Sequence, residues 1–273
     1  MKLLAFLFIL FISSHSFGQV DTIFSANLKI GCTIKEITTD AVKFSYPGED
    51  LINSVYKNTI QKIVFKSGRV QTFAESTSFK TVNNGRDYSN VSFTFVPSEV
   101  QGLVKLGDVS SKAKGTTVYS SMTKVKERAE RKIKIQSAMM GANIVFIAQN
   151  NTTGNQVGSY FQAGKSTETN LNGVAYSSSM PTYDDFAKLI GQRKTFQTYE
   201  KYELAGSSAD LDSTSFSKPV DLDKLYSENG LIMFDAKIKG IDGKTFRVID
   251  FSTFGFTLVW KDGDKIYNFL IKI

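Results

Sequence analysis

Hydrophobic and polar residues alternate with a period of two along much of the chain, which is typical of β-strands with one buried face. In the first clear case one face carries three apolar side chains: Val42, Phe44 and Tyr46. This run and the segment 33–37 before it predict a hairpin, and 60–65 with 69–73 predicts a second. A further alternating strand at 91–95 stops before a proline. The pattern predicts a small β-barrel or roll over residues 19–97.

Residues 123–140 follow a different rule, because apolar side chains recur there on one face at the period of an α-helix. The stripe consists of Met122, Val125, Ala129, Ile133 and Met140, with Met139 beside it. Ser121 or Thr123 is suited to cap the start of this helix, and Gly141 to close its end in the left-handed conformation. The apolar run 144–147 then predicts a buried strand.

Around this helix the pattern predicts a central β-α-β-β domain over residues 98–180. The predicted strands are 103–109, 144–147, 156–163 and 167–178, with a turn at 110–115 and a loop at 149–156. An amphipathic helix, a glycine and an apolar strand in this order indicate a helix packed on a sheet.

The remaining residues, 181–273, predict a C-terminal antiparallel β meander. A short helix at 183–190 and a strand at 197–204 precede a Ser- and Asp-rich linker at 206–223. Four strands follow, two pairs of which are joined by Asp-Gly turns: 231–239, 244–251, 254–261 and 265–273. The chain as a whole is therefore predicted to be α+β and β-rich, with three domains.

The first 18 residues have the features of a secretory signal peptide. Lys2 precedes an apolar run at 3–12, which is too short to span a bilayer, and small residues before Gln19 suit a signal peptidase. We expect cleavage before Gln19 and a periplasmic or secreted protein that is not an integral membrane protein. A lipid anchor is not expected, because Cys32 lies far beyond the apolar run.

The histidine and cysteine content limits the chemistry that the chain can perform. The only histidine, His15, lies in the predicted signal peptide, and Cys32 is the only cysteine. Triads, dyads and metal sites that depend on histidine or on paired thiolates are therefore excluded from the mature chain. We predict no enzymatic activity and no catalytic, cofactor-binding or metal-binding residues.

Aspartates offer the alternative of an acid-based hydrolase. They occur as two Asp-Leu-Asp motifs in the predicted linker: Asp210 with Asp212, and Asp221 with Asp223. Paired carboxylates can act as acid and base on a glycosidic bond, or bind calcium. The glycine-set turn and closing glutamate of calcium loops are absent from these motifs, so a solvated linker is the preferred interpretation.

Positive charge is concentrated in the central domain. The full chain has a formal net charge of +7, and residues 98–180 carry ten lysines and arginines against five aspartates and glutamates. On the predicted helix, Glu127 with Arg131 and Glu130 with Lys134 have the i, i+4 spacing of ion pairs. A solvated helix face is the preferred interpretation of these charges. The alternative is contact with an anionic surface through three cations on one side: Lys124, Arg128 and Arg131.

The stretch Ala-Gly-Lys-Ser-Thr at 163–167 is similar to the end of a phosphate-binding loop. The required first glycine would be residue 159, which is Ser159. The residues after Lys165 also predict a strand, whereas the loop needs the N-terminus of a helix at that point. We interpret the stretch as a turn between strands.

Three motifs occur in residues 103–178: Leu-Gly-Asp-Val, the helix ending Ala-Met-Met-Gly-Ala-Asn-Ile-Val, and later Gly-Val-Ala-Tyr-Ser. Together they resemble a family of envelope α+β domains. That family includes the outer-membrane stress-sensor lipoprotein of the Rcs phosphorelay and the YbjQ-type domains described as heavy-metal-binding. The matching residues are Leu106, Gly107, Val109, Ala138, Gly141, Ala142, Asn143 and Val145. The resemblance implies a fold and an envelope location. This chain differs from the sensor in lacking a second cysteine for a disulfide.

Three hypotheses of function follow. The first is an exported envelope module that acts by interaction, sensing or assistance, with another envelope protein, a glycan or an anionic surface as partner. The second is a carbohydrate- or polyanion-binding module, and the third is the aspartate-based hydrolase. Nucleic acid is not an expected partner, because the predicted export removes the chain from it.

Overall fold

The computed structural model describes residues 20–25, 28–73 and 79–273. The predicted signal peptide and its cleavage site before Gln19 lie outside the described residues. The chain divides into two compact units, residues 1–76 and residues 77–273. No helix in the described part of the chain is both long and apolar enough to cross a lipid bilayer.

The first unit is a six-stranded antiparallel sheet in the order β4-β3-β2-β1-β5-β6. Its strands are β1 (Asp21–Ser25), β2 (Leu28–Ile37), β3 (Ala41–Ser45), β4 (Asn53–Tyr56), β5 (Ile60–Val64) and β6 (Val70–Thr72). Its core contains Ile23, Cys32, Val42, Phe44, Ile60 and Ile63. Burial raises the pKa of the Cys32 thiol to about 11, and the charge of Asp21 adds to this effect, so the thiol stays protonated.

Both predicted hairpins of this unit are confirmed. β2 pairs with β3, and β5 pairs with β6. Val42 and Phe44 are buried as the alternation predicts. Tyr46 lies just beyond the end of β3 and is 41 % exposed, so its placement on the buried face was wrong.

The second unit begins with a four-stranded sheet in the order β7-β9-β10-β8, in which β7 runs parallel to β9 and the other pairs are antiparallel. The strands are β7 (Ser92–Thr94), β8 (Val104–Lys114), β9 (Ile144–Thr153) and β10 (Glu168–Ser177). The predicted strand at 91–95 thus belongs to this sheet and not to the first unit. The alternation identified the strand, but its partner β9 is distant in sequence.

Helix α1 (Met122–Met139) packs on this sheet, close to its predicted bounds. The Ser121 hydroxyl accepts a hydrogen bond from the Lys124 N–H and caps the start. Gly141 follows the end with φ +76°, as predicted for a residue that leaves a helix in the left-handed region. Ala129 and Ile133 face the sheet. The predicted stripe member Met122 is instead 51 % exposed, because it lies at the open end of the helix.

Seven strands form the rest of the unit. They are β11 (Thr195–Leu204), β12 (Asp212–Ser215), β13 (Pro219–Glu228), β14 (Leu231–Ile238), β15 (Thr245–Ser252), β16 (Gly255–Asp262) and β17 (Lys265–Lys272). The last four, β14 to β17, form the predicted antiparallel meander, and β13, which was not predicted, pairs with β14. β11 pairs with β13 along one edge and with β17 along the other, so six strands close into a barrel, and β12 pairs with β11 beside it.

Aromatic side chains fill the barrel. Helix α2 (Tyr183–Ile190) places the fully buried Phe186 against Phe234, Phe251 and Phe256, with ring centroids 5.1–6.4 Å apart. The strands alternate as their sequences predict, with Phe234 pointing inward beside Phe246 on the neighbouring strand. The short helix therefore packs against the barrel with one face and contributes Phe186 and Ile190 to its core.

Helix α1 is covered on a second side by the barrel. Ile135 and Met139 pack against outward-facing residues of the barrel, among them Ile249 and Leu270. Helix α1 and the barrel strands beside it each need apolar side chains on two faces. This explains the nearly continuous apolar run in β17, which faces the barrel core on one side and α1 on the other. A single helical stripe was predicted, and the second one, which includes Ile135, was missed because it is interrupted by charged residues.

Polar side chains join the end of α1 to the barrel. The buried Asn268 amide donates to the Met139 carbonyl (2.9 Å) and accepts from the Gly85 N–H (3.0 Å). The Arg247 guanidinium donates to the Met140 carbonyl (2.6 Å), where the negative end of the helix dipole favours a cation. Burial lowers the pKa of Arg247 to about 10.

Four predicted boundaries are corrected by the sheet. Residues 110–115, predicted as a turn, continue β8, because alternate residues face α1 and the Ser111 hydroxyl donates to the Ala129 carbonyl (2.7 Å). The predicted loop at 149–156 continues β9 as far as Thr153. The predicted strand at 156–163 has only isolated bridges. The predicted linker at 206–223 contains β12, which is an exposed edge strand, and the start of β13, whose Val220 and Leu222 are buried in the barrel.

Candidate functional site

A groove of about 650 Å³ runs along the edge strand β8, between the four-stranded sheet, α1 and two loops of the barrel. We call it the β8 groove. Its lining is Ser110, Ser111, Lys112, Lys132, Gln136, Gln149, Asn151, Asn170, Asn172, Gly206, Lys261, Gly263 and Asp264. Every side chain in this set is polar, and five of them are carboxamides.

Side chains of α1 cover the free edge of β8. The Ser110 N–H donates to the Gln136 side-chain oxygen (3.1 Å), and the Arg128 guanidinium donates to the Lys114 carbonyl (2.8 Å). An edge strand carries unpaired backbone groups, and these two bonds satisfy one at each end of the groove. The wall formed by β8 and α1 is therefore held at two points.

The sheet forms a second wall from side chains that point away from α1. Alternation along β10 puts Leu171 in the core and leaves Asn170 and Asn172 outside. The Asn172 amide donates to Gln149 on β9 (2.7 Å), and the Asn170 amide donates to Glu168 (3.0 Å). These bonds fix the orientation of the amides, so each presents a defined donor or acceptor to the groove.

Charges in this wall are arranged around Glu168. The Lys112 ammonium lies 2.9 Å from the Glu168 carboxylate. Hydrogen bonds from Asn170 and Lys112 outweigh desolvation and hold the pKa of Glu168 below its ordinary value. Since this pair is exposed to solvent, it contributes little to stability but keeps a cation at the rim of the groove.

The barrel supplies the third wall. The Lys132 ammonium of α1 donates to the Gly206 carbonyl. Burial lowers the pKa of Lys132, although the nearby Asp264 carboxylate opposes this shift. Gly206 is needed at this position because a Cβ there would collide with the Asp264 side chain. Lys261 adds an exposed ammonium that has no carboxylate within ion-pair distance among the described residues.

The chemistry of the groove is that of multiple hydrogen bonds with a positive bias. Carboxamides and hydroxyls can each donate and accept, whereas the three lysines only donate. These groups are chemically complementary to hydroxyl groups and to negative charge. No group of three or more His, Cys, Asp or Glu side chains that could hold a metal ion occurs within residues 20–25, 28–73 and 79–273.

The three cations predicted to contact an anionic surface are separated by the structure. Arg128 donates to the Lys114 carbonyl at the end of β8 and is not one of the residues that line the β8 groove. Lys124 is exposed near the start of α1. Arg131 forms an ion pair with Asp210 (2.9 Å) and lies over the Tyr88 ring, so it is engaged within the protein.

The i, i+4 ion pairs expected on α1 are replaced by other contacts. Glu130 pairs with Lys126 (3.8 Å) and not with Lys134, whose ammonium lies over the Phe93 ring at 4.9 Å. Tertiary partners compete with local ones because exposed helical pairs are weak.

The two Asp-Leu-Asp motifs form no shared site in the contacts of the described chain. Asp210 pairs with Arg131, and Asp223 faces Lys237 at 3.8 Å. Asp212 and Asp221 lie on different strands, opposite Glu203 and Thr195 respectively.

The stretch that is similar to a phosphate-binding loop is a turn region, as interpreted from its sequence. Lys165 forms an antiparallel bridge with Gln156, and β10 follows it.

A second polar cluster surrounds Glu200 on β11. The Tyr202 hydroxyl donates to one carboxylate oxygen, and Ser213 and Arg86 donate to the other, at 2.7–2.8 Å. Burial opposes ionisation of Glu200, but these donors hold its pKa below the ordinary value. Both oxygens are engaged, so the cluster stabilises the packing of β11 and β12 and presents no unpartnered carboxylate oxygen to a ligand.

The β8 groove was not identified from the sequence. Its signal is the pattern Glu-Thr-Asn-Leu-Asn at 168–172, in which every second residue of a well-formed strand is polar and able to form hydrogen bonds. That pattern alone is equally typical of a solvated sheet face, and only the packing of α1 and the barrel beside it makes a groove.

Comparison of this chain with family models, with curated proteins and with solved structures finds no match.

Proposed function

We propose that this protein is an exported, non-enzymatic binding module whose β8 groove takes an acidic oligosaccharide. The observation that carries the proposal is the composition of the groove, in which five carboxamides, two hydroxyls and three ammoniums line about 650 Å³. Sugar hydroxyls match groups that donate and accept, and carboxylate or phosphate substituents match the lysines. A glycan partner is also what the predicted export would make accessible.

The physical argument for an acidic glycan, as opposed to a neutral one, is the charge of the walls. Lys112 is shared with Glu168, and Lys132 is close to Asp264, but Lys261 has no carboxylate partner in the described chain. The lining thus contains three lysines, Lys112, Lys132 and Lys261, against one carboxylate, Asp264. A ligand with negative charges would interact with these lysines, and screening by salt would weaken it.

The test is calorimetric titration of the purified protein with a short oligogalacturonate, with neutral maltohexaose as the comparison ligand. We expect binding of the acidic sugar that weakens as salt is raised. The double variant Lys261→Gln/Asn151→Ala removes one ammonium and one exposed amide from the groove, and should reduce affinity by at least about tenfold through loss of charge-assisted and neutral hydrogen bonds.

The matched control is Lys239→Gln, which removes an exposed lysine from the turn after β14, outside the groove. It should bind oligogalacturonate like the wild type. The proposal is wrong if the acidic sugar does not bind, if maltohexaose binds equally well, or if the groove variant and the control lose affinity to the same extent.

A further inference from the structure

A second feature of the same unit is a projecting hairpin between β9 and β10, which we call the aromatic arm (residues 154–166). The backbones of Gln156 and Lys165 exchange two hydrogen bonds, both 2.8 Å long. Nearer the apex, those of Ser159 and Gln162 exchange two more, at 2.9 and 3.2 Å. The two residues left between these pairs form the apex, and they are Tyr160 and Phe161.

The apex carries side chains that turn chemistry does not favour. Two-residue hairpin turns prefer glycine, asparagine and aspartate, which adopt the required backbone angles easily. Here Tyr160 and Phe161 are 95 % and 93 % exposed, and their rings contact only each other edge to face at 5.0 Å. Their apolar surface stabilises nothing in the isolated protein. Residues that a hairpin turn does not favour, and that gain no burial in return, are expected at functional sites.

The arm is fixed at its base, so the apex projects from an ordered support. The Asn155 amide donates to the Ser120 carbonyl (2.8 Å) and accepts from the Thr167 N–H (2.7 Å). Gly164 lies so close to Val118 that a Cβ there would be 2.7 Å from the valine methyl. The loop before α1 thus packs against the arm, and it adds an exposed aromatic residue, Tyr119, at 84 % exposure.

The arm and the loop that packs against it carry no negative charge up to Glu127 on α1 and Glu168 on β10. Neither the loop and first turn of α1 (115–126) nor the arm with its base (154–167) contains an aspartate or glutamate. They contain three lysines, Lys124, Lys126 and Lys165. Aromatic rings are favoured at the interface between lipid and water, and each nearby cation is attracted to anionic headgroups. A protein partner of mixed charge would not require this absence of acidic residues.

We infer that the aromatic arm docks the protein onto an anionic lipid bilayer. Tyr160 and Phe161 enter the interfacial region, and Lys124 and Lys165 face the headgroup phosphates. This attachment is peripheral, and it is independent of the ligand proposed for the β8 groove. It assigns a role to Lys124, the predicted surface-contact residue that the groove does not use.

The test is sedimentation of protein purified from the exported fraction with vesicles of phosphatidylglycerol and phosphatidylethanolamine, compared with vesicles of phosphatidylcholine. We expect binding to the anionic vesicles only. The double variant Tyr160→Ser/Phe161→Ser should weaken this binding by at least about tenfold, because two aromatic side chains lose their apolar burial. Far-UV circular dichroism and the thermal midpoint should not change, since both side chains are exposed.

The matched control is Phe254→Ser, an equally exposed aromatic (86 %) at the turn between β15 and β16. It should bind vesicles like the wild type. A Phe161→Trp variant provides a direct readout: its emission should shift to the blue on addition of anionic vesicles, relative to the background of Trp260. The inference fails if the wild type does not sediment, if the double variant sediments normally, or if Phe254→Ser loses binding equally.

Discussion

Two groups of aromatic side chains in the second unit have opposite surroundings. In the barrel, Phe186, Phe234 and Phe256 lie within 7 Å of one another by ring centroid and are at most 3 % exposed. On the aromatic arm, Tyr160 and Phe161 are almost fully exposed. The apolar surface of the rings stabilises the fold where it is buried in the barrel. On the arm the same kind of surface is exposed and available to a partner.

The backbone explains this difference. Six barrel strands close on themselves through β11 and β17, so their inner face is enclosed and rings such as Phe234 and Phe256 are buried. The four-stranded sheet stays open at β8, and its longest hairpin extends past the core. The closed barrel thus stabilises the fold. The open four-stranded sheet carries both features proposed to bind partners, the β8 groove and the aromatic arm.

The largest expected effect tests the barrel side of the comparison. Phe234→Ala leaves a cavity among packed rings and should lower the free energy of unfolding by about 4 kcal/mol. The matched substitution Phe161→Ala on the arm should change it by less than about 0.5 kcal/mol, because no buried contact is lost. Urea unfolding of the two variants measures both values. Equal destabilisation would show that the arm is part of the folded core.

A smaller effect is expected where the barrel joins α1. Asn268→Ala leaves the Met139 carbonyl and the Gly85 N–H buried without their partner, and should cost about 2 kcal/mol. Asn172→Ala removes an amide of the same type from the exposed β8 groove and should cost less than about 0.5 kcal/mol. Thermal unfolding should separate the variants. Comparable losses would contradict the assignment of stability to the barrel side.

The smallest expected effect is pH dependence at Asp250, on β15. Burial, with the charge of Asp87 adding to it, raises the pKa of Asp250 from 3.8 to about 6. Because the folded state then holds a proton that the unfolded state has released, stability falls as pH rises from 3.8 to about 6. The carboxyl is partly exposed, so solvent screening reduces the effect to about 1 kcal/mol.

Asp250→Asn should therefore be more stable than the wild type above pH 6 and equal to it below pH 3.8. Asp242→Asn, at an exposed loop position, is the control for the loss of one carboxylate elsewhere on the barrel. Thermal midpoints measured across this range provide the check. A constant difference between wild type and Asp250→Asn at all pH values would exclude this ionisation as the cause.

Much of the fold was predictable because it depends on local patterns. The period of the apolar residues located α1, α2 and the strands of the meander, and Gly141 marked the end of α1. The predicted class, α+β and β-rich, is confirmed. Errors arose where polar residues continue a strand, as at 110–115, and where a strand pairs with a distant segment, as β7 does with β9.

The sequence by itself determined most of the helices and strands, the shortage of imidazole and thiol groups, and the concentration of positive charge around α1. Only the tertiary structure decided that α1 is covered on two sides, that Arg131 is engaged with Asp210, and that amides from two strands and a helix line one groove. The physical reason is that periodicity reports whether a face is buried, but not which distant surface buries it. The positions of grooves and projecting arms depend on which distant surfaces pack together.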